Sequence, residues 1–388
     1  MAFPTETVYG LGDAARRDGH QPGAQSHRVR GAQRGRGARA ARADAPVRSG
    51  QLIGSNDRSR KQAGPEQIAE AVTRLRRARL VAFPTETVYG LGADATDADA
   101  IERVFEAKGR SRSNPLIVHV SDRAMARRCV SAWPAEASEL AEAFWPGPLT
   151  LVLPKSDEVP GVVTAGHATV ALRAPDHPLA LALIETFGRP VVGPSANPSG
   201  AVSPTKAAHV REAFGDDVYV LDGGRCRVGI ESTVVRVEED RLRMLRPGAI
   251  GPEALTERCG LPVIADAGRG TDSMGSPGRL GPHYRPLAPV VVVEDASEVK
   301  GVLAGLDSMG VVLSSAGERM DVPPPHGMIA MPRRASAYAA DLYAALREAD
   351  AIRPSAIVVV RPPIGGETDS ETAVWAAVAE RLARASSG

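Results

Sequence analysis

The chain has 388 residues, 43% hydrophobic and 24% charged, an ordinary balance for a globular protein with a substantial core and a length suggesting two or three domains. No apolar run approaches the roughly 18 residues of a membrane span, the first residues lack the pattern of a signal peptide, and three scattered cysteines, Cys129, Cys226 and Cys259, exclude a disulfide framework and a cysteine zinc site, which suits a cytoplasmic protein. The net charge of +1 conceals a basic segment over residues 13–61, with twelve Lys/Arg against four acids and a balance of −7 elsewhere, and only 4% of residues are aromatic, so the body is poor material for a nucleic-acid platform.

In chain order, the first feature is a duplication. Residues 2–12 and 82–92 carry the same eleven letters, AFPTETVYGLG, with no similarity on either side. A structural repeat would recur as a diverged unit, so the first copy reads as a duplicated or misassigned start. The Arg/Gly/Ala-rich stretch after it lacks the apolar surface to fold. Its other reading is a basic arm for RNA. Residues 1–64 are therefore expected to be disordered or non-native, with the fold beginning at Pro65.

From Pro65, the spacing of Ile68, Val72 and Leu75 predicts an amphipathic helix with proline in its first turn. LVAF (80–83) reads as a strand, ADAIERVFEAKG (98–109) as a helix stopped by Gly109, and PLIVHV (115–120) as a buried strand. A helix over 135–145 ends at Pro146-Gly147-Pro148, followed by strands at 149–154 and 169–175 and a helix at 178–188. PVV, VYVLDGG, STVVRVEE and RLRMLRPG supply further strand-like runs. Helix-separated and adjacent strands alternate, which predicts a mixed sheet over a domain at 65–262. Residues 263–289, rich in Gly and Pro, read as a linker. Residues 290–388 alternate strand and helix as a small α/β domain.

No phosphate loop, H-E-x-x-H, G-x-S-x-G or EF-hand pattern is present. Gly90-Leu-Gly92-Ala-Asp-Ala95 imitates a dinucleotide fingerprint, but the position about 20 residues on is Arg110 where a ribose needs an acid. Three polar segments after predicted strands carry more chemistry. PTETVYGLG (84–92) offers hydroxyls and two glycines, KGRSRSNPL (108–116) groups Lys108, Arg110, Arg112 and Asn114, and GPSANPSG (193–200) presents Ser195, Asn197 and Ser199. Each alone is a helix-end cation set or a turn. Together they describe a cationic, acid-poor pocket suited to a polyphosphate and a carboxylate.

PTETVYGLG, the Lys108-Gly-Arg110 triplet and Ser195-Ala-Asn197 resemble the YrdC-type threonylcarbamoyl-AMP synthases. The SPG…HYRP linker and the small last domain resemble the long, two-domain form of that family. The resemblance implies an α/β protein with a YrdC-like twisted mixed sheet and a smaller Rossmann-like C-terminal domain. It also implies the reaction: L-threonine, bicarbonate and ATP give threonylcarbamoyl-adenylate and pyrophosphate, and a transferase complex passes the product to tRNA. By the residues, Lys108 and Arg110 are the cations expected to face phosphate and carbamate. By the resemblance, Thr87, His119, Thr169, Ser195 and Thr233 line the threonine pocket, and Arg110, Asn114, Arg173, Asn197, Ser203, Arg246 and Tyr284 hold ATP. Mg²⁺ is expected through the ATP phosphates, since no all-protein cage is visible.

Taken singly, His119 in its apolar strand reads as a core histidine, Arg173 as a surface cation and Thr233 as a strand former. Glu231 is a weak candidate for Mg²⁺ or pocket support. The resemblance places the linker across the site with Tyr284 near the nucleotide, although Arg279-Leu280-Gly281 depart from the usual residues after SPG. Two other functions stay open at this point. One is an RNA-binding module relying on the basic arm, with direct tRNA binding. The other is a transferase using carbamoyl phosphate.

Overall fold

The computed structural model describes residues 64–266, 283–315 and 320–387. The duplicated fragment at 2–12, the basic stretch and most of the linker lie outside the described residues. Helix α1 (Pro65–Arg76) has proline in its first turn, Gln67 accepting from the Gly64 amide, and Ala71, Val72 and Leu75 buried. Strand β1 (Val81–Phe83) pairs antiparallel with β2 (Gly90–Asp94). The polar segment 84–92 is therefore not loop throughout, because its last three residues are strand. Two glycines fit there beneath a ring. A Cβ on Gly90 would lie 3.0 Å from Phe83 Cζ, and one on Gly92 2.9 Å from the Val81 carbonyl oxygen.

Helix α2 (Ala98–Lys108) is capped by the Asp97 carboxylate and stops at Gly109 in the left-handed region, as its sequence predicts. Strand β3 (Ile117–His119), helix α3 (Arg123–Arg128), helix α4 (Ala135–Phe144) and strands β4 (Leu149–Pro154) and β5 (Thr169–Arg173) follow. Next come α5 (Pro178–Phe187), β6 (Val191–Val192), α6 (Ala207–Phe214), β7 (Tyr219–Val220), β8 (Thr233–Val237), β9 (Leu242–Arg246), α7 (Pro252–Cys259) and β10 (Val263–Ala265). The strands form one ten-stranded sheet in the order β10-β9-β8-β4-β5-β3-β6-β2-β1-β7. Parallel pairs such as β3/β5 and β4/β8 alternate with antiparallel pairs such as β4/β5 and β8/β9, so the sheet is mixed. Helices α3, α6 and α7 escape sequence reading because they bury two, two and one residues respectively, too few to make a periodic signal.

Period-two alternation divides this sheet between two faces. Val118, Leu151, Leu153, Leu172 and Val235 join the main core with the helices. Ile117, Val152, Ala171, Val234 and Leu245 form a smaller cluster of their own.

The rest of the chain is a parallel α/β layer: β11 (Val290–Val293), α8 (Ala296–Ala304), β12 (Gly310–Ser315), β13 (Gly327–Met331), α9 (Ala335–Ala351), β14 (Ala356–Val360) and α10 (Asp369–Ser386). Its sheet order is β11-β14-β12-β13, every pair parallel. Residues of α9 and α10 share one core cluster and residues of α8 a second. Val88, Val202, Ile230 and Tyr284 enter the α9–α10 cluster beside Tyr338, Leu342, Tyr343 and Trp375. The contact is close at Gly229, where φ is +77° and a Cβ would lie 2.4 Å from Ala340 Cα. Among the described residues no helix is long and apolar enough to cross a membrane.

Candidate active site

The segments flagged in the sequence converge on one cleft, with several polar side chains turned toward one concavity as in small-molecule sites. Its wall includes Thr87, Arg110, His119, Arg173, Ser195, Glu231, Arg246, His283 and Tyr284. Backbone pairing fixes the segments against one another. The amides of Tyr89, Leu91 and Ala196 bond to Pro204, Pro194 and Tyr89 carbonyls, and those of Val228 and Gly229 to Glu86 and Thr87.

One group of wall residues surrounds Arg173, at the end of β5. Its guanidinium lies 2.7 Å from the Glu86 carboxylate, donates to the Thr87 hydroxyl at 2.9 Å and to the Gly147 carbonyl at 3.2 Å. The second Glu86 oxygen accepts from the Asp176 amide. His119, fully buried, has its pKa pushed down to about 3 by burial and then by Arg173, so the imidazole is neutral at physiological pH. Its Nδ1 is buried without a hydrogen-bond partner. Gly193 leaves the room beside it, since a Cβ there would sit 2.7 Å from Nδ1. A buried acceptor or donor left unpaired at a cleft wall is a natural contact for a polar ligand.

The other group holds Arg110, Arg246, His283 and Tyr284. Arg110 donates to the Asn114 and Pro115 carbonyls, and burial followed by the like charge of Arg246 lowers its pKa to about 10, still a cation at neutral pH. Arg246 donates to the Ser232 carbonyl and hydroxyl at 3.0 and 3.1 Å. Tyr284 stacks on Tyr343 with ring centroids 5.4 Å apart, and burial pushes its phenol up to about 12. Glu231 is committed on both oxygens: Oε1 accepts from Ser203 at 2.7 Å, and Oε2 from Tyr343 at 2.9 Å and Arg381 at 3.2 Å. Burial raises its pKa, but Arg381, Arg246 and Ser203 together outweigh that and hold the carboxyl below its ordinary value.

Several expected site residues stand behind the wall. Lys108 is buried and donates to the Ser195 and Asn197 carbonyls, both at 2.5 Å. Its ammonium therefore clamps the Ser195–Asn197 turn to α2 where a direct phosphate contact is expected. Asn197 donates to the Pro198 and Ala201 carbonyls and fixes the same turn. Ser203 is spent on Glu231 and Thr233 on Ile250, whose carbonyl accepts from and whose amide donates to its hydroxyl. Asn114 supports Arg110 through its carbonyl. Thr169 pairs with Pro154 at the start of β5, at the far end of that strand from Arg173, and does not line the cleft. Arg173 itself belongs to the His119 group and not, as expected, with Arg110 and Arg246.

Sequence reading missed Glu86, His283, Tyr343 and Arg381. A carboxylate between two threonines was a visible oddity for Glu86. Arg381 had a clearer signal: it interrupts the apolar stripe Val374, Ala377, Val378, Leu382 and Ala385 of α10, where a buried cation requires a partner. No cluster of three or more His, Cys, Asp or Glu side chains suited to a metal exists among the described residues.

The Sua5/YciO/YrdC family model, described as telomere recombination, matches residues 73–248, and the model of the threonylcarbamoyl-AMP synthase C-terminal domain matches residues 250–387. A threonylcarbamoyl-AMP synthase of Pyrococcus abyssi is 50% identical over 57% of this chain and 66% of its own length. One of Bacillus subtilis is 41% identical over 83% of this chain and 93% of its own. The crystal structure of Pyrococcus abyssi Sua5 complexed with L-threonine superposes with a TM-score of 0.75 at 38% identity, over 84% of this chain and 96% of that one. With the mixed sheet, the second α/β layer and the shared cleft in place, these matches make the chain a member of the threonylcarbamoyl-AMP synthase family in its two-domain form.

Proposed function

We propose that the cleft joins L-threonine, bicarbonate and ATP into threonylcarbamoyl-AMP, releasing pyrophosphate, for threonylcarbamoyladenosine modification of tRNA. The observation that carries this reading is the division of the wall. Among the described residues three arginines line it against one acid, Glu231, which is already paired with Arg381. That leaves net positive charge for a polyanion at the Arg110–Arg246 end. At the other end, Arg173, Thr87 and neutral His119 suit the carboxylate and hydroxyl of an amino acid. The threonine bound in the Pyrococcus abyssi protein supports the same assignment.

The reaction needs little proton chemistry from side chains. The threonine amine attacks the bicarbonate carbon, water is lost, and a carbamate oxygen attacks the α-phosphorus as pyrophosphate departs. Negative charge gathers on the phosphoryl oxygens, so fixed cations and in-line placement carry the acceleration. Arg110 and Arg246 supply the charge, and the Lys108 clamp holds the Ser195–Asn197 turn against the substrate. Mg²⁺ would neutralise phosphate oxygens when bound with ATP. Among the described residues no carboxylate set suits it, since Glu231 is occupied on both oxygens, so the ion would belong to the nucleotide. The product would pass to a tRNA threonylcarbamoyl-transferase complex. Direct recognition of tRNA by residues 13–61 lies outside the described residues.

Incubation with radiolabelled bicarbonate, L-threonine and ATP, followed by chromatography against AMP, tests the reading. A labelled adenylate that appears only when threonine is present supports it. Label confined to free bicarbonate contradicts it.

A further inference from the structure

Three contacts of Arg381 converge on the nucleotide end of the cleft, although α10 contributes nothing to its wall. Arg381 is fully buried. Its Nε donates to Glu231 Oε2 at 3.2 Å, its Nη1 to the Pro247 carbonyl at 2.6 Å, and its Nη2 to the Glu231 carbonyl at 3.4 Å. The first contact holds the only acid of the wall among the described residues, and the second grips the residue that follows Arg246. Its guanidinium also lies 5.8 Å from the centroid of the Tyr284 ring, which Tyr343 backs from α9. Two guanidinium groups, those of Arg381 and Arg246, thus flank one buried carboxylate. Of the two, Arg381 hydrogen-bonds to it, while Arg246 donates to the Ser232 carbonyl and hydroxyl.

We propose that Arg381 is a positioning residue for the synthase reaction: by holding Glu231, it keeps Arg246 free to bind the ATP phosphates. This rests on the functional reading above. A buried carboxylate stripped of its cationic partner, with only the Ser203 and Tyr343 hydroxyls left to it, takes the nearest cation, because its desolvation is costly and the attraction in a low-dielectric site is strong. Without Arg381, Glu231 turns to Arg246, and the cleft loses a positive charge at the end that receives the triphosphate. The last domain is thereby part of the nucleotide site through Arg381 and Tyr343, and it approaches the first domain closely at Gly229.

The test compares Arg381→Met, Glu231→Gln and the double variant in the full chain. It measures ATP binding by calorimetry and the KM values for ATP and L-threonine from pyrophosphate release. The proposal expects Arg381→Met to raise the ATP KM about tenfold while the threonine KM moves less than about twofold, and the double variant to recover most of the ATP affinity, since a neutral amide no longer captures Arg246. Equal loss for both substrates, or a double variant as weak as Arg381→Met, would mean that Arg381 merely holds the fold and would overturn the proposal. Tyr343→Phe, which removes one donor to Glu231 and keeps the ring stacked on Tyr284, covers the case in which Arg381→Met does not fold. It should raise the ATP KM by a few-fold, and no change there overturns the idea equally. Calorimetry separates the two claims: a wild-type chain that binds ATP but makes no adenylate defeats the functional reading and leaves Arg381 testable.

Discussion

Arg173 and Glu86 form a buried ion pair, 2.7 Å apart, with side chains 4% and 0% exposed. The pair joins the end of β5 to the TETVYG segment, and Arg173 reaches past it to Thr87. Breaking such a pair leaves an uncompensated buried charge, at a cost of about 3–5 kcal/mol. Glu86→Ala should therefore lower the urea midpoint strongly, whereas a surface pair such as Arg74–Glu70 should contribute less than about 1 kcal/mol when Glu70→Ala is measured the same way. Comparable losses for the two would contradict the structural role of Glu86.

Lys108 supports a turn and stands behind the wall. Burial, then the like charge of Arg110, holds its pKa well below the ordinary lysine value, and the two carbonyls at 2.5 Å stabilise what charge it carries. Lys108→Met should reduce kcat by about a hundredfold, consistent with misplacement of a reacting group by about 1 Å, and should raise hydrogen exchange across residues 195–199. A loss of ATP affinity with unaltered exchange would instead place its ammonium on the phosphates.

His119 makes a pH prediction. Its folded pKa of about 3 lies below the ordinary histidine value of 6.5, so the unfolded chain binds this proton and the folded chain does not. Stability is then complete above about pH 6.5 and falls as the pH drops from there toward about 3, by up to about 1.4 kcal/mol per pH unit. His283 and His209, each lowered to about 4 chiefly by burial, add to the slope. Urea unfolding at intervals from pH 7 to pH 4.5 should give this decline, and His119→Asn should flatten it. A variant with the wild-type slope would show that His119 is not the group responsible.

Thr169 tests the corrected boundary of the cleft. It lies at the start of β5, away from the wall, so Thr169→Val should leave the threonine KM within about twofold, the size expected of a surface change. Thr87→Val removes the hydroxyl that accepts from Arg173 and should raise that KM by about tenfold or more. The reverse ranking would move the threonine site along β5.

The strong periodic elements were legible in the chain itself. The spacing in α1, α2, α4 and α5 follows from burying one stripe, and the apolar runs of β4, β5 and β8 from burial on both faces. Less legible were elements with one or two buried residues, such as α7, and the β2 strand, whose glycines make sense only beneath Phe83. The same limit applies to the site. Arg110 and Ser195 declare themselves by residue type and Arg246 by the family resemblance, but which of the neighbouring cations reaches the cleft depends on where backbone carbonyls point. Lys108 and Asn197 find carbonyl partners in the Ser195–Ala201 turn, and no one-dimensional pattern reports that. Arg381 is the converse: its place in an apolar stripe is visible, but its partner Glu231 lies 150 residues away.

The most direct measurement is pyrophosphate release from ATP and Mg²⁺, with L-threonine and bicarbonate omitted in turn and Lys108→Ala alongside. The account predicts release that requires both co-substrates and falls sharply in the variant. Release that proceeds equally without threonine, or none from the intact chain with all substrates present, would contradict it.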